Sequence, residues 1–204
     1  MRLAAAVCAA TLLTAGCAAP PTAWNTYIAA GEEAYRQKNY PDAERSWRAA
    51  LEEAEARRSD DLVAKTLDRL AELFYEQGRY AEAEPLLRRA LKILENAFGP
   101  EHPQVAISAN HLGHVLEARE QLGEAEALYA RSLAINEKVF APDHPRIAYD
   151  LASLAGIHAA NGERERAEAL YRRALAMFER TRGPEHADVA LTRERLARLI
   201  SAPR

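Results

Sequence analysis

The chain has 204 residues, of which 49% are apolar and 28% charged, and its formal net charge is −3. This length allows one domain with a sizeable core, and the interspersed charges exclude the basic stretch typical of nucleic-acid binding. Alanine and leucine dominate while glycine is scarce, which favours helices over strands. Both cysteines, Cys8 and Cys17, lie in the first seventeen residues, so the rest of the chain cannot form a disulfide or a cysteine metal site.

The first seventeen residues have the layout of a secretory signal, with one basic residue and an apolar run from Leu3 to Ala15 that is too short to span a bilayer. The sequence LTAGC at 13–17 resembles the lipobox of bacterial lipoproteins, although Thr14 stands where that family prefers leucine. The resemblance implies cleavage after residue 16 and lipid attachment to Cys17. The alternative is an ordinary signal cleaved at an Ala-x-Ala-like site, which would leave a soluble periplasmic protein.

The residues around the cysteine also bear on location. Two or three acyl chains would form a lasting anchor, where one chain would be marginal. Ala18 follows the cysteine, and in the sorting rule of enteric lipoproteins a residue other than aspartate implies the outer membrane. We therefore expect a lipoprotein signal peptide over 1–16, a lipidated tether over 17–23 and a folded domain over 24–204, facing the periplasm.

One segment recurs three times after the leader: AEAEPLLRRALKILENAFGPEHPQVA at 81–106, GEAEALYARSLAINEKVFAPDHPRIA at 123–148 and ERAEALYRRALAMFERTRGPEHADVA at 165–190. The offset is 42 residues each time, and thirteen of 26 positions are identical between the first two segments. A looser match, YPDAERSWRAAL, occupies 40–51. A fixed period of this size is typical of a solenoid, whose units cannot bury their apolar faces alone and therefore stack. We number the four repeats in chain order.

Apolar residues recur at helical spacing and predict two helices in each repeat. Repeat one runs from about Trp24 to Arg57, and Tyr40-Pro41 should open its second helix because proline suits the first helical turn. The cluster Ser59-Asp60-Asp61 predicts an N-cap for the next helix. A last helix over 187–201 has no second helix after it, so it should cap the array. The first helix of repeat one is expected to bury Tyr27, Ala30, Gly31 and Ala34.

Small residues recur at three positions of every repeat. The three sets are Gly31, Ala71, Gly113 and Ala155; Ala43, Ala83, Ala125 and Ala167; and Ala50, Ala90, Ser132 and Ala174. This pattern resembles the tetratricopeptide repeat, in which a larger side chain where two helices cross would push them apart. The 42-residue period, longer than the usual ~34, resembles the variant found in kinesin light chains. The resemblance covers about residues 24–200. It implies an all-α, right-handed superhelix of about four helix-turn-helix repeats plus a C-terminal capping helix.

Histidines recur at 102, 144 and 186 in the linkers between repeats. Equivalent linkers lie one repeat apart, too far for shared coordination at about 2 Å, so we interpret them as turn residues before a helix-opening proline. His111 and His114 are three residues apart on one predicted helix and could face one ligand. They lack a third ligand at convincing spacing apart from Glu117, so no metal site is predicted.

No hydrolase, metalloprotease or phosphate-loop motif occurs, so the sequence predicts neither an enzyme nor a cofactor. Glutamates are abundant at the starts of the second helices, where the helix dipole favours them and solvent should screen them. We interpret these residues as capping and solubility groups. They are Glu82, Glu84, Glu124 and Glu126.

The resemblance also implies a concave groove lined by the first helix of each repeat. By register its residues are Lys65, Asp68, Glu72, Tyr75 and Glu76 in repeat two, Ile107, Asn110, His114 and Glu117 in repeat three, and Tyr149, Ala152 and Gly156 in repeat four. Asn110 matches a position where the family often uses asparagine to hydrogen-bond a peptide backbone. Asp68 and Glu72 argue against a ligand with a terminal carboxylate. They favour a partner that carries lysine or arginine, with an apolar anchor on Tyr75 or Tyr149. A merely solvated inner face is the alternative.

Together these features predict a non-enzymatic scaffold or adaptor for envelope protein assembly, with a protein or peptide partner and no nucleic acid. Two other classes remain open. One is a self-assembling structural lipoprotein, in which the last helix docks into the groove of another molecule. The other is a small-molecule or enzymatic site inside the array, which would require a deep pocket with a buried, pKa-shifted pair. The sequence shows no such pair.

Overall fold

The structure is a computed structural model in which residues 22–201 are described, and within that range the chain forms nine helices and no strand. The predicted all-α class is therefore confirmed. The predicted signal peptide and the predicted lipid attachment at Cys17 fall in residues 1–21, outside the described range, and stay predictions. The helices are α1 (Ala23–Arg36), α2 (Tyr40–Ala56), α3 (Asp60–Glu76), α4 (Tyr80–Phe98), α5 (Pro103–Ala118), α6 (Leu122–Val139), α7 (Pro145–Ala160), α8 (Arg164–Arg182) and α9 (Ala187–Ser201).

Each helix packs mainly against the next one in the chain, and contact is most extensive within the pairs α1–α2, α3–α4, α5–α6 and α7–α8. The first helices of successive repeats also touch, since α3 contacts α5 and α5 contacts α7. The helix α9 packs on α8 as a further first helix would, which confirms its predicted capping position. No described helix has the length and apolarity needed to cross a membrane.

The core is continuous across the repeats. One cluster of buried side chains runs from Trp47 in α2 through Leu112 in α5 to Ile157 in α7. This is the shared core expected when units stack because none can bury its apolar face alone. All twelve predicted small residues are buried.

The expected stripe of α1 is partly wrong. Tyr27 is 39% exposed and Ala30 is also exposed, whereas Ile28 and Tyr35 pack against the core. The helix α1 is the first described helix, so no helix of the described residues covers its outer side. Residues that would be buried in an internal repeat therefore face solvent here.

The recurring histidines cap helices, as the turn interpretation predicted. The ring nitrogen Nδ1 of His102 accepts a hydrogen bond from the backbone N–H of Gln104 at 3.3 Å, and His144 caps α7 in the same way. Both rings stack on an aromatic residue four positions earlier, with centroids 4.7 Å apart for Phe98 and 3.9 Å apart for Phe140.

One local expectation is confirmed in position only, and another is wrong. Ser59 occupies the N-cap position of α3, but its side chain makes no capping hydrogen bond. Glu84 is not a solvated residue, since its side chain is only 14% exposed and forms ion pairs with Arg88 and Arg119. Arg119 comes from the neighbouring repeat, so Glu84 links two repeats, a relation that its position at a helix start does not reveal.

Candidate functional site

Three cavities adjoin on the side of the array formed by the first helices. The Asp150 cavity, of about 430 Å³, lies between α5, α6 and α7. The Tyr75 cavity, of about 170 Å³, lies between α3, α4 and α5, and the Lys65 cavity, of about 400 Å³, lies between α1, α3 and α5. Because His111 lines all three, they form one continuous surface, which we call the groove.

The structure brings most of the predicted groove residues together on this surface. Those that line a cavity are Lys65, Asp68, Glu72, Tyr75, Ile107, Asn110, His114 and Tyr149, whereas Glu76, Ala152 and Gly156 line none of the three. Glu117 lines none of the three, and its Oε2 instead accepts a hydrogen bond from the buried hydroxyl of Tyr129 at 2.7 Å. The location of these side chains is thus settled, while their role in binding stays a prediction.

The Lys65 cavity is less acidic than Asp68 and Glu72 suggest. Arg69 lines the same cavity and forms ion pairs with Glu32 at 3.2 Å and with Glu72 at 3.4 Å. Lys65 pairs with Asp61 at 2.7 Å. The charges at this end of the groove therefore largely balance one another, and exposed pairs of this kind exert little attraction on a distant ligand.

The Tyr75 cavity is mainly apolar. The ring of Tyr75 packs against Tyr80 with centroids 5.4 Å apart, and burial raises the pKa of Tyr75 above its ordinary value. At the other wall, His114 Nδ1 lies 2.8 Å from the Tyr129 hydroxyl. Burial lowers the pKa of His114 well below its ordinary value, so this imidazole is neutral at pH 7. The cavity therefore suits an uncharged, apolar group.

The Asp150 cavity contains a buried carboxylate. Asp150 is 2% exposed, and its Oδ1 accepts hydrogen bonds from Asn110 Nδ2 and Ser132 Oγ, both at 2.8 Å. Its Oδ2 accepts from Asn136 Nδ2 at 2.6 Å. Burial raises the pKa of Asp150 to about 6, and the three hydrogen bonds oppose that rise. In the described part of the chain, these neutral donors are its hydrogen-bond partners, and no basic side chain forms an ion pair with it.

Asn136 adds an unused acceptor to this cavity. The residue is 2% exposed, and its Oδ1 has no hydrogen-bond partner within the described structure. Such buried polar atoms are rare because leaving one unpaired costs about 1–3 kcal/mol. At the rim, the ring of Tyr149 is 40% exposed, and its hydroxyl donates to Asp188 Oδ2 at 2.5 Å.

We call Asp150, Asn110, Ser132 and Asn136 the polar cluster. Its residues differ from those at the equivalent positions of the other described repeats. Ser132 occupies a position that is alanine in the three other repeats, namely Ala50, Ala90 and Ala174. Asn136 occupies a buried position that is apolar in the others, namely Ala54, Leu94 and Phe178. The equivalents of Asp150 in α3, α5 and α9 are Thr66, Ser108 and Thr192, all buried hydroxyl residues. Our groove residues missed Asp150 and Asn136, although this comparison between repeats would have indicated both.

The groove shows no arrangement typical of a catalytic or metal site. Among residues 22–201, no group of three histidine, cysteine, aspartate or glutamate side chains is placed to hold a metal ion. Asp150 and His114 line one cavity with their pKa values shifted in opposite directions, which the sequence did not indicate. No hydrogen bond joins these two side chains in the described structure, and the Ser132 hydroxyl is occupied by Asp150.

A family model described as tetratricopeptide repeat matches residues 23–96, 62–138 and 104–179. No curated protein matches the sequence. Among solved structures, BtubC (BKLC) from P. vanneervenii is similar with a TM-score of 0.75 and 24% identity, covering 83% of this chain and 68% of that one. A kinesin light chain from Podospora anserina with nearly identical repeats has a TM-score of 0.71 and 23% identity, with coverages of 85% and 83%. A Rap protein complexed with the competence and sporulation factor has a TM-score of 0.72 and 17% identity, with coverages of 87% and 48%. These similarities show the fold.

Proposed function

The chain belongs to the tetratricopeptide repeat family, and from this premise we propose that it is a non-enzymatic docking protein whose groove binds a segment of a partner protein. Solenoids of this family are generally interaction modules. The similar Rap protein is complexed with the competence and sporulation factor, which supports binding of a partner by this fold. The proposed partner combines an apolar group with lysine or arginine.

The observation that carries this proposal is the continuity of the groove. His111 joins an apolar cavity to two polar ones, so an extended segment can place side chains of different character in successive cavities. The walls are helices packed into one core, so little ordering is needed on binding and less of the interaction energy is lost.

We also propose that a lipid on Cys17 holds the protein at the periplasmic face of the outer membrane. The leader and its lipobox-like end support this proposal. The helix α1 begins at Ala23, six residues after the cysteine, and six extended residues span at most about 20 Å. The groove would therefore lie close to the bilayer, where partners would be other envelope proteins awaiting assembly.

Site-specific photo-crosslinking in native membranes tests the docking role. A photoreactive amino acid replaces His111, whose side chain is 46% exposed in the groove. In the matched control the same amino acid replaces Arg172, whose side chain is 65% exposed on α8, the second helix of repeat four. We expect mass spectrometry to recover one recurring envelope protein from the His111 position and not from the Arg172 position. The same proteins at equal yield from both positions, or none from either, would contradict docking in the groove.

A second candidate function, self-assembly, is favoured by the exposed apolar surface of the last helix. Leu191 and Ile200 on α9 are 48% and 47% exposed, and no described helix follows α9 to cover them. An apolar flank at the end of a solenoid is a natural contact for another molecule. Light scattering of the parent protein and of Leu191→Glu with Ile200→Glu separates self-assembly from a monomeric adaptor.

A further inference from the structure

We propose that the Asp150 cavity is an anchor subsite that receives one basic side chain, arginine or lysine, from the docked partner. This inference rests on the proposed docking function and assigns a specific chemistry to one part of the groove. It comes from a buried carboxylate that forms no ion pair within the described structure, although the charge of Arg146 acts on it, and from a buried acceptor in the same cavity that has no described partner.

The Asp150 carboxylate gives the cavity a negative charge. At pH 7 Asp150 is mostly ionised because its pKa is about 6, and its hydrogen-bond partners Asn110, Ser132 and Asn136 are all neutral. A buried charge is costly unless it is paired, and the three neutral donors offset only part of that cost. A cation placed in this cavity would supply the missing pairing.

Asp150 and Asn136 supply hydrogen-bond acceptors to the cavity. The Asn136 amide donates through Nδ2 to one Asp150 oxygen, and its Oδ1 has no partner in the described structure. Asn136 and Asp150 both line the cavity, and two acceptor side chains match a group that donates several hydrogen bonds and accepts none. Guanidinium offers five such donors and ammonium three, whereas a carboxylate or phosphate would offer none and would be repelled.

The other charged or titratable side chains that line the cavity are His111, His114, Arg146 and Tyr149. His114 on α5 is neutral at pH 7, so it does not oppose a cation. Arg146 on α7 does oppose one, but its guanidinium lies over the ring of Phe140, 5.8 Å from the centroid, and makes no ion pair with Asp150. At the rim, the exposed ring of Tyr149 can cover the aliphatic stem of the entering side chain.

The repeats differ at the positions that form the polar cluster. Every interface of the array has the same architecture, yet in the other repeats the places of Ser132 and Asn136 are taken by apolar residues. Replacing well-packed apolar residues by a buried polar cluster generally costs stability, and the array does not need it to stack. A role in binding explains why one interface carries the cluster, and a volume of about 430 Å³ leaves room for a side chain and part of its backbone.

Calorimetric titration of the full chain in mild detergent tests the subsite. The probes are acetyl-Gly-Arg-Gly-amide and the same peptide with citrulline, which has the shape of arginine without its charge. We expect the arginine peptide to bind at least about tenfold more tightly than the citrulline peptide. Asp150→Asn should abolish that difference, whereas Asp68→Asn in the Lys65 cavity should preserve it.

A second variant tests the subsite if Asp150→Asn does not fold. The triple change Ser132→Ala, Asn136→Leu and Asp150→Ser installs the residues found at the preceding interface, namely Ala90, Leu94 and Ser108. Because the array already packs these residues elsewhere, we expect an unchanged circular dichroism spectrum and melting temperature at least as high as that of the parent. The preference for arginine should be lost.

Equal binding of the two peptides, no binding of either, or a preference for arginine that survives the triple change would overturn the subsite. Its failure is distinguishable from failure of docking. If His111 still crosslinks to one envelope protein while the arginine peptide does not bind, the subsite is wrong and docking stands. If the arginine peptide binds as expected but no protein is crosslinked, the subsite stands and docking is wrong.

Discussion

Replacing Gly113 by alanine should destabilise the protein even though alanine is the better helix former. Gly113 lies in the middle of α5, and a Cβ atom at this position would lie 2.6 Å from Cε1 of Tyr129. The ring cannot move away easily, since Tyr129 is fully buried and its hydroxyl donates to Glu117 at 2.7 Å and lies 2.8 Å from His114 Nδ1. The added methyl group therefore has no space.

The magnitude follows from two opposing terms. Overpacking a core typically costs about 1–3 kcal/mol, and the restrained ring places Gly113→Ala toward the upper end of that range. The higher helix propensity of alanine returns about 1 kcal/mol. We expect a net loss of about 2 kcal/mol in the free energy of unfolding. For a domain of this size that corresponds to a fall of about 4–8 °C in melting temperature.

Thermal and urea unfolding followed by circular dichroism at 222 nm measures this loss, with Gly156→Ala as the matched control. Gly156 lies inside α7, where a Cβ atom would meet nothing nearer than Glu117 Oε1 at 3.5 Å, an ordinary contact. Gly156→Ala should therefore stabilise the protein by up to about 1 kcal/mol. If Gly113→Ala melted at or above the parent temperature, or if both changes had the same sign, the close-approach argument would be refuted.

Three further predictions concern pH, anchoring and assembly. Because Asp150 has a pKa of about 6 in the folded protein against an ordinary 3.8, the folded state holds this proton more tightly than the unfolded state. The contribution of Asp150 to stability is therefore fully present below pH 4 and is lost as pH rises through 6, by up to about 3 kcal/mol. Urea unfolding at a series of pH values should show this decline in the parent protein relative to Asp150→Asn, and parallel curves would contradict it. Cys17→Ser should abolish palmitate labelling and release the protein from membranes, and unchanged membrane fractionation would count against the anchor. Leu191→Glu with Ile200→Glu should leave light scattering unchanged if the protein is a monomeric adaptor, whereas a drop from a larger mass would favour self-assembly through α9.

Much of the fold could be predicted because the same physical requirement recurs every 40 to 42 residues. Small residues are needed wherever two helices cross, so Gly31, Ala71 and Gly113 mark the same contact in successive repeats. The failure at Tyr27 and Ala30 has an equally physical origin. Periodicity identifies the face that an internal helix would bury, but it carries no information about whether a neighbour is present to cover that face.

Charges were harder to interpret than apolar residues, because their partners lie in other repeats. Arg88 pairs with Glu124 at 2.7 Å, Arg131 pairs with Glu95, and Arg173 pairs with Glu137 at 2.7 Å. These partners are about one repeat apart in sequence, so none falls within the three or four residues that a single helix brings together. Glu84 was misassigned for the same reason.

Only some residues of the candidate groove could be predicted from the family pattern. The others are indicated by differences between the repeats. Alignment with the family's repeat positions gives the residues that face the groove, such as Asn110 and Tyr149. Asp150 follows Tyr149 on α7, and its side chain bonds to α5 and α6. At that position the family pattern predicts a core residue. Because all repeats share one architecture, a buried position that is apolar in three of them shows what stacking requires. A polar residue in the fourth, as at Asn136, is not required by stacking, and the basic side chain proposed above would account for it.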